Sequence, residues 1–206
     1  MEILKKTTTI IFALIICITT WSQSTEEIQK AFKSSYSNEY KNDLSAAIND
    51  LQKVYKADNY EVTLRLGWLY YSNKKFTTSM DYYKKAIDLK QYSVEARLGF
   101  IKPASELKKY DETYKMYESI LKIDPYNSVA NYWVGVSYYS LKQYDIAAKY
   151  FELVVNMYPF DYDANHMLAW TYLSLNKIAE AKILFNLALM NRPGDSSALE
   201  GLKKCN

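Results

Sequence analysis

The chain has 206 residues, of which only 5 are glycine and 4 are proline, and it contains no low-complexity tract. This composition favours a helical protein without long linkers and argues against disorder away from the ends. The 26 basic and 23 acidic residues nearly balance and include no long basic run, so the sequence gives no electrostatic reason to expect nucleic acid as a partner.

The first residues have the pattern of a secretory signal peptide. Lys5 and Lys6 precede an uncharged run from Thr7 to Thr20, and small residues flank Trp21. The run is shorter than the about 20 apolar residues that a membrane-spanning helix needs. We therefore predict that residues 1–22 are a signal peptide cleaved near Ser22, and that the protein is exported to the periplasm or the cell envelope.

Two alternatives to cleavage remain open. An uncleaved segment would anchor the chain, and this is the only membrane contact that the sequence suggests. A lipoprotein anchor on Cys17 is disfavoured because bulky Ile16 precedes it. Cleavage would leave Cys205 as the sole cysteine, so the mature chain could form no internal disulfide and must be stabilised by packing.

Residues 24–59 have helical spacing without a clear repeat pattern. The apolar positions of one predicted helix are Ile28, Phe32 and Tyr36, and those of a second are Leu44, Ala47, Ile48, Leu51 and Tyr55. We expect a degenerate N-terminal helical repeat here.

From about residue 60 the sequence repeats every 34 residues. Pro125, Pro159 and Pro193 keep this interval, and Tyr144 corresponds to Tyr110 and Phe76. The many tyrosines between Asn131 and Pro159 therefore belong to the architecture of a repeated unit. Each unit contains two short helices, and each helix must bury its apolar stripe against neighbours to be stable.

Helix-capping residues keep the same interval. Five residues whose side chains can accept a hydrogen bond from a free amide recur every 34 positions: Asn59, Ser93, Asn127, Asp161 and Asp195. We predict that each is the N-cap of a helix.

The combined pattern resembles the tetratricopeptide repeat family. The motif positions are Leu66-Gly67-Tyr70-Phe76-Tyr83-Ala86, Gly135-Tyr138-Tyr144-Ala147-Phe151-Pro159 and Leu168-Ala169-Tyr172-Ala181-Phe185-Ala188-Pro193. The resemblance gives four units, at 60–93, 94–127, 128–161 and 162–195, followed by a capping helix and tail at 196–206. It implies an all-α fold, a right-handed α-solenoid of tandem helix-turn-helix repeats with a C-terminal capping helix at Ser196 to Lys204.

The sequence departs from the family pattern in three ways, the first of which is Gln91 at a position where the family has proline. Lys74, Lys108, Lys142 and Asn176 occupy the turn between paired helices where the family usually has glycine. In the unit at 94–127, Ile101 replaces a small residue and Pro103 lies within the first helix. Because proline removes an amide donor and crowds the carbonyl four residues earlier, we predict a kink near residues 99–103.

Catalytic and metal-binding motifs are not recognisable. The sole histidine, His166, has no serine or cysteine partner in a known motif, and Cys205 lies next to the terminus. The sequence has no paired His or Cys spacing and no glycine-rich phosphate loop. We therefore expect a protein that is not an enzyme and uses no cofactor or metal.

The resemblance implies that the first helices of successive units line a concave surface that commonly binds a peptide or a partner's helix. The predicted partner-binding residues on this surface, called here the first-helix face, are Leu64, Trp68, Tyr71, Lys102, Tyr132, Val136, Tyr139, His166, Trp170 and Leu173. Grouped aromatic residues are frequent binding anchors, although these rings could instead pack within the array. The family's carboxylate clamp is not expected, because its positions hold Leu64, Trp68, Gly99 and Trp133.

Two functions follow from these expectations. The first is a noncatalytic scaffold for protein–protein interaction, which binds a partner protein or peptide in its concave aromatic groove and has no small-molecule substrate. The alternative is a structural subunit of a cell-envelope complex, docked through its convex face or its N-terminal repeat. An enzyme with an unfamiliar site would be a third possibility.

Overall fold

The computed structural model describes residues 25–206, so the predicted signal peptide at 1–22 and Cys17 lie outside the described residues. Within this range the chain forms helices joined by turns and has no strand. It divides into two compact units, which meet in sequence between Gln91 and Tyr92. None of the described helices is both long enough and apolar enough to cross a membrane.

The first unit contains four helices, numbered here in chain order. They are α1 (25–40), α2 (Leu44–Gln52), α3 (Tyr60–Ser72) and α4 (Phe76–Leu89). Its core contains Ala47, Leu51, Val62, Leu66 and Leu69, against which Ile28 and Phe32 of α1 pack. The prediction that Tyr55 belongs to the second helix is wrong, because α2 ends at Gln52; the Tyr55 ring instead lies edge-on to Tyr82, at a centroid distance of 5.7 Å.

The second unit contains seven helices, each packed against the next in sequence. They are α5 (Val94–Glu106), α6 (Tyr110–Leu121), α7 (Ser128–Ser140), α8 (Tyr144–Met157), α9 (Tyr162–Ser174), α10 (Ile178–Asn191) and α11 (Ser196–Lys204). The largest core cluster joins α8, α9, α10 and α11 around the buried Phe151 and Phe185. The predicted capping helix is therefore present with the expected bounds, and it packs on α10 and α9.

All five predicted helix caps are confirmed. The side chains of Asn59, Ser93, Asn127, Asp161 and Asp195 accept hydrogen bonds from the amides three residues later, at distances of 2.9, 3.0, 3.1, 2.8 and 2.8 Å. Each bond satisfies one of the amides that a helix start leaves without a helical partner. The capping residues precede α3, α5, α7, α9 and α11. The same N-cap hydrogen bond therefore marks the start of the first helix of each repeat and of the capping helix.

Buried asparagines provide a further link at two of the turns between repeats. The side-chain amide of Asn131 donates to the carbonyls of Pro125 and Asn127, at 2.9 Å each. Asn165, 34 residues later, bonds the carbonyls of Pro159 and Asp161 at 3.0 and 2.7 Å. These bonds satisfy the buried side-chain nitrogens of both asparagines and hold each turn against the helix that follows.

Small residues allow the paired helices to approach closely, as the repeat pattern predicts. A Cβ atom added at Gly135 would lie 2.8 Å from the Phe151 ring, and one at Gly67 would lie 3.1 Å from the Tyr83 ring. Ala147 and Ala181 are completely buried at the corresponding helix contacts. The aromatic rings thus fill the space that the missing side chains leave.

Pro103 is accommodated within α5, which is helical from Val94 to Glu106 without interruption. Pro103 and its neighbour Ala104 are buried, and the helix continues beyond them through the bond from the Leu107 amide to the Pro103 carbonyl at 3.1 Å. Burial of this segment offsets the amide that proline cannot supply. The kink itself stays a prediction.

Candidate functional site: the first-helix face and the Trp133 patch

In the first unit, the predicted site residues Leu64, Trp68 and Tyr71 lie on α3 and are half-buried. The Trp68 and Tyr71 rings are 5.8 Å apart between centroids. The indole Nε1 of Trp68 donates a hydrogen bond of 2.8 Å to Glu39, which also forms an ion pair with Arg65. Trp68 is therefore held by the end of α1, and only part of its ring faces solvent.

In the second unit, the site residues on α7 form part of the core wall. Tyr132, Val136 and Tyr139 are half-buried and pack against the cluster around Phe151. The Tyr132 ring lies 5.9 Å from Phe151, and the Tyr139 ring lies 5.3 Å from Tyr144. Each residue thus stabilises a helix pair with one side of its side chain and leaves another side accessible.

The Tyr132 hydroxyl has an acidic environment. Burial raises the pKa of Tyr132 to about 12, and the negative charges of Asp163 and Asp161 add to this increase, whereas Arg192 opposes it. Asp161 caps α9 and Asp163 lies in its first turn, so the negative charges that raise the pKa of Tyr132 come from the start of the next repeat. Tyr132 is neutral throughout the physiological pH range and can serve as a hydrogen-bond donor.

On α9, the site residues His166 and Trp170 contact the capping helix. His166 Nε2 lies 2.9 Å from Ser197 Oγ, and the Trp170 indole donates to both groups, at 3.1 and 3.2 Å. Tyr162 stacks on the imidazole at 5.4 Å, and Lys204 Nζ lies 5.0 Å from the Trp170 ring centroid. Leu173, the third predicted residue of α9, is half-buried against the same core.

Burial lowers the pKa of His166, although Asp195 and Asp163 partly oppose the decrease. A neutral imidazole that accepts the Trp170 hydrogen bond at Nε2 has this lone pair occupied. The same nitrogen cannot then also act freely as a base toward Ser197. The contact between His166 and Ser197 was not foreseen, because the two residues are 31 positions apart in sequence; its geometry is suited to holding α11 in place.

Lys102, the remaining predicted site residue, is exposed on α5 within the second unit. The structure thus places three of the ten predicted residues in the first unit and seven in the second. Five of the seven, Tyr132, Val136, Tyr139, Trp170 and Leu173, share contact with one core cluster. Their role in binding stays a prediction.

A second surface on the same unit was not predicted as a site. Trp133, in the middle of α7, is 46% exposed although it stacks on the buried Tyr117 at a centroid distance of 6.3 Å. It borders a cavity of about 730 Å³ whose other lining residues include Tyr110, Tyr114 and Leu141. Trp133 also borders a second cavity, of about 400 Å³, that Tyr132, Asp161 and Asp163 line as well.

We call this surface the Trp133 patch, and its members are Trp133, Tyr110, Tyr114, Leu141, Asp111 and Asp163. Tyr110 and Leu141 are among its most exposed apolar side chains, at 67% and 66%. The repeat pattern contained a signal for it, because Trp133 corresponds to Arg65, Gly99 and Met167 in the other units. An aromatic residue that does not recur is not required by the repeat architecture.

Among the residues that the structure describes, no group of three or more histidine, cysteine, aspartate or glutamate side chains is arranged to hold a metal ion. Cys205 is buried with a free thiol at the end of α11, and burial raises its pKa. A raised pKa keeps the thiol protonated and poorly nucleophilic near neutral pH.

Three models of the tetratricopeptide repeat family match the chain, at residues 36–94, 129–161 and 162–195, and together they span more than half of it. The helix pairs, the buried small residues and the capping helix agree with these matches. The chain belongs to the tetratricopeptide repeat family.

Solved structures with the same fold include three distinct proteins. A tetratricopeptide repeat protein from Parabacteroides merdae has a TM-score of 0.72 at 19% identity and covers 87% of this chain and 72% of its own. A MamA protein has a TM-score of 0.67 at 22% identity, with coverage of 81% and 92%. YrrB, described as a tetratricopeptide repeat protein with an unusual peptide-binding site, has a TM-score of 0.60 at 20% identity, with coverage of 72% and 85%.

A comparison with curated protein sequences found no match. The structural likenesses therefore establish the fold, an all-helical solenoid of tandem repeats, and they leave the ligand of this chain to be inferred from its own surface.

Proposed function

We propose that this protein is a noncatalytic interaction scaffold that binds a segment of a partner protein on its first-helix face. The observation that carries the proposal is the set of half-buried aromatic residues on α7 and α9 of the second unit, Tyr132, Tyr139 and Trp170. Rings that are already ordered by the core lose little entropy when a ligand covers their remaining surface. The peptide-binding site described for YrrB supports this use of the fold.

A noncatalytic role is supported by the contacts of the only histidine. The His166 lone pair accepts a bond from Trp170, and the adjacent Ser197 belongs to the capping helix. These groups stabilise the end of the array, and the proposal assigns them no reaction. It likewise assigns no nucleic acid, small-molecule substrate or cofactor.

We also propose that the protein is exported, on the basis of the signal peptide pattern in residues 1–22. N-terminal sequencing of the protein from its native cell should give a chain that begins shortly after Ser22. A chain that retains Lys5 and Lys6 would instead favour the membrane anchor.

The binding proposal can be tested by site-specific photo-crosslinking in the native cell. A photoreactive amino acid at Tyr139 or Lys102 should form crosslinks with one partner, to be identified by mass spectrometry. The matched control is Lys149, an exposed residue on α8, which is the second helix of its repeat. Crosslinks that arise from Lys149 but from neither Tyr139 nor Lys102 would contradict binding on the first-helix face.

A second candidate function, a structural subunit of a cell-envelope complex, is favoured by a different observation. Tyr92, Tyr126 and Phe160 are 34 residues apart, each just before a helix cap, and all three are exposed. Replacing them together with serine should release the protein from such a complex and leave binding at the first-helix face intact. This triple variant is preferable to deletion of the N-terminal repeat, because Glu39 of α1 holds Trp68 and Arg65.

A further inference from the structure

The Trp133 patch has an acidic edge and no basic lining. Asp111 lines the larger cavity, and Asp161 and Asp163 line the smaller one. None of the described residues that line either cavity is a lysine or arginine. Lys108 and Lys109 border a neighbouring cavity that Tyr110 and Asp111 share, so the acidic end of the patch away from these lysines is at Asp163. There Arg192 approaches Asp163 at 3.7 Å, with both side chains 56% exposed. Such an exposed, long ion pair contributes little and can be exchanged for another cation.

Aromatic surface and carboxylates meet at Trp133. The Trp133 side chain lines both the apolar cavity and the acidic one. Its ring stacks on Tyr117 and has an edge contact with Tyr132, at centroid distances of 6.3 and 5.3 Å. A positive side chain is attracted both by the face of an indole ring and by a carboxylate. An apolar side chain gains free energy by entering the neighbouring cavity, which Tyr110, Tyr114 and Leu141 enclose.

The two cavities differ in what they can accept. The larger has a volume of about 730 Å³ and a wall of aromatic and aliphatic groups, which suits an aromatic or large aliphatic side chain. The smaller has a volume of about 400 Å³, and one of its two aspartates, Asp161, already caps α9 through the Ala164 amide. Asp163 is therefore the carboxylate best placed to pair with an incoming cation.

We infer that the Trp133 patch binds an extended partner segment in which an apolar side chain enters the larger cavity and a neighbouring lysine or arginine lies over Trp133 toward Asp163. The inference rests on the proposed function, because its ligand is a protein segment, and it adds the chemistry that selects the segment. The patch adjoins the first-helix face through Tyr132 and Val136, which line the smaller and the larger cavity respectively.

The test uses the mature chain, after removal of residues 1–22, labelled with 5-fluorotryptophan, so that fluorine NMR reports Trp68, Trp133 and Trp170 separately. The Trp133→Met variant identifies the Trp133 signal; methionine suits this helix position because Met167 occupies it in the next repeat. The probe is a synthetic capped peptide that contains one phenylalanine and one arginine among glycine and serine residues. Two comparison peptides replace the arginine with glutamate or the phenylalanine with serine.

The expected result is a shift of the Trp133 signal with the phenylalanine–arginine peptide, and roughly tenfold weaker binding of both comparison peptides. Asp163→Asn should weaken binding of the arginine peptide severalfold and leave the glutamate peptide no weaker than before. The matched control is Glu95→Gln, which removes the same charge from the first turn of α5, outside the two cavities. It should leave binding unchanged.

Several results would overturn the inference. A shift confined to the Trp170 signal would keep binding on the first-helix face of the second unit and eliminate the Trp133 patch. Equal binding of the arginine and glutamate peptides would contradict the proposed selectivity, and no shift at millimolar peptide would contradict binding at the patch. Neither result bears on the proposed function, which the crosslinking experiment tests separately. A Trp133 shift that depends on protein concentration without peptide would identify a second copy of the chain as the occupant.

Discussion

The turn within each repeat contains one residue with a positive φ, at a position where the family usually has glycine. Lys74, Lys108, Lys142 and Asn176 have φ values of 56°, 55°, 59° and 61°, in the left-handed region. A residue with a Cβ atom is strained there, and asparagine is strained less than lysine. The turn geometry is thus set by the helix pair that it joins, and three lysines adopt it at a cost in free energy.

Lys142→Gly is expected to stabilise the protein. Glycine relieves the left-handed strain, and this gain exceeds the extra freedom of the unfolded chain, so the free energy of unfolding should rise by about 0.5–1 kcal/mol. Chemical denaturation followed by circular dichroism measures the change. Gln143→Gly is the matched control, because Gln143 is the next residue and has φ −89°; a gain at Gln143 equal to that at Lys142 would contradict the strain argument.

At the scale of helices, α11 depends on one close contact. Gly201 is buried, and a Cβ atom there would lie 2.1 Å from the ring of Phe185, which is itself fully buried. The contact lets α11 pack directly on α10 and brings Ser197 to His166 and Trp170. The position of α11 over the last repeat therefore depends on glycine at residue 201, because any larger residue would collide with the Phe185 ring.

Gly201→Ala should destabilise the protein even though alanine is the better helix former. Overpacking against Phe185 is expected to lower the free energy of unfolding by about 1–3 kcal/mol, which outweighs the helix-propensity gain of about 1 kcal/mol. Thermal unfolding measures the net effect. Ser196→Ala, at the exposed start of the same helix, should change stability by no more than about 0.5 kcal/mol; an unchanged Gly201→Ala protein would show that α11 is not tightly packed.

The docking of α11 should also weaken below neutral pH. Burial lowers the pKa of His166 from its ordinary value of 6.5, so the unfolded chain binds a proton more readily than the folded chain. Stability is therefore complete above about pH 6.5 and decreases as the pH falls from there toward the folded-state pKa. Protonated Nε2 would in addition lose its bond from Trp170.

Thermal unfolding at pH 7.5 and pH 5.5 tests this expectation against His166→Gln. The native protein should lose more stability between the two pH values than the variant, because only the native protein has the titrating His166 imidazole. Both proteins retain the surrounding charges of Asp163, Asp195, Arg192 and Lys204. An equal loss in the two proteins would assign the pH dependence to other groups.

At the scale of the whole molecule, the buried clusters follow the division into two units. One cluster, around Leu51 and Leu66, lies within the first unit, and the clusters around Ile120 and Phe185 lie within the second. In a repeat protein, stability comes mainly from contacts within repeats and between neighbours. Each unit thus has a core of its own.

We expect a chain of residues 92–206 to fold by itself. It keeps two buried clusters and the capping helix, so it should give a helical circular dichroism spectrum and a cooperative thermal transition. The comparison chain, residues 25–91, has a single cluster and should be less stable. A spectrum of residues 92–206 without a cooperative transition would show that the first unit is needed for folding.

The repeat, the helix caps and the closing helix could be predicted from residue spacing alone, because they depend on residues that act locally. Asn127 caps a helix in any tertiary context, and Ala147 must be small wherever two helices pair. Tyr55 was misplaced because apolar spacing continued past the end of α2, where its ring packs on Tyr82.

Residue spacing did not predict which part of each aromatic ring is buried or what the polar atoms of the ring contact. His166 contacts Ser197, which is 31 residues away in sequence, and Trp133 lines two cavities whose walls come from different helices. Such contacts depend on how neighbouring helices pack, and residue spacing along a helix specifies which face a side chain occupies but not what that face meets.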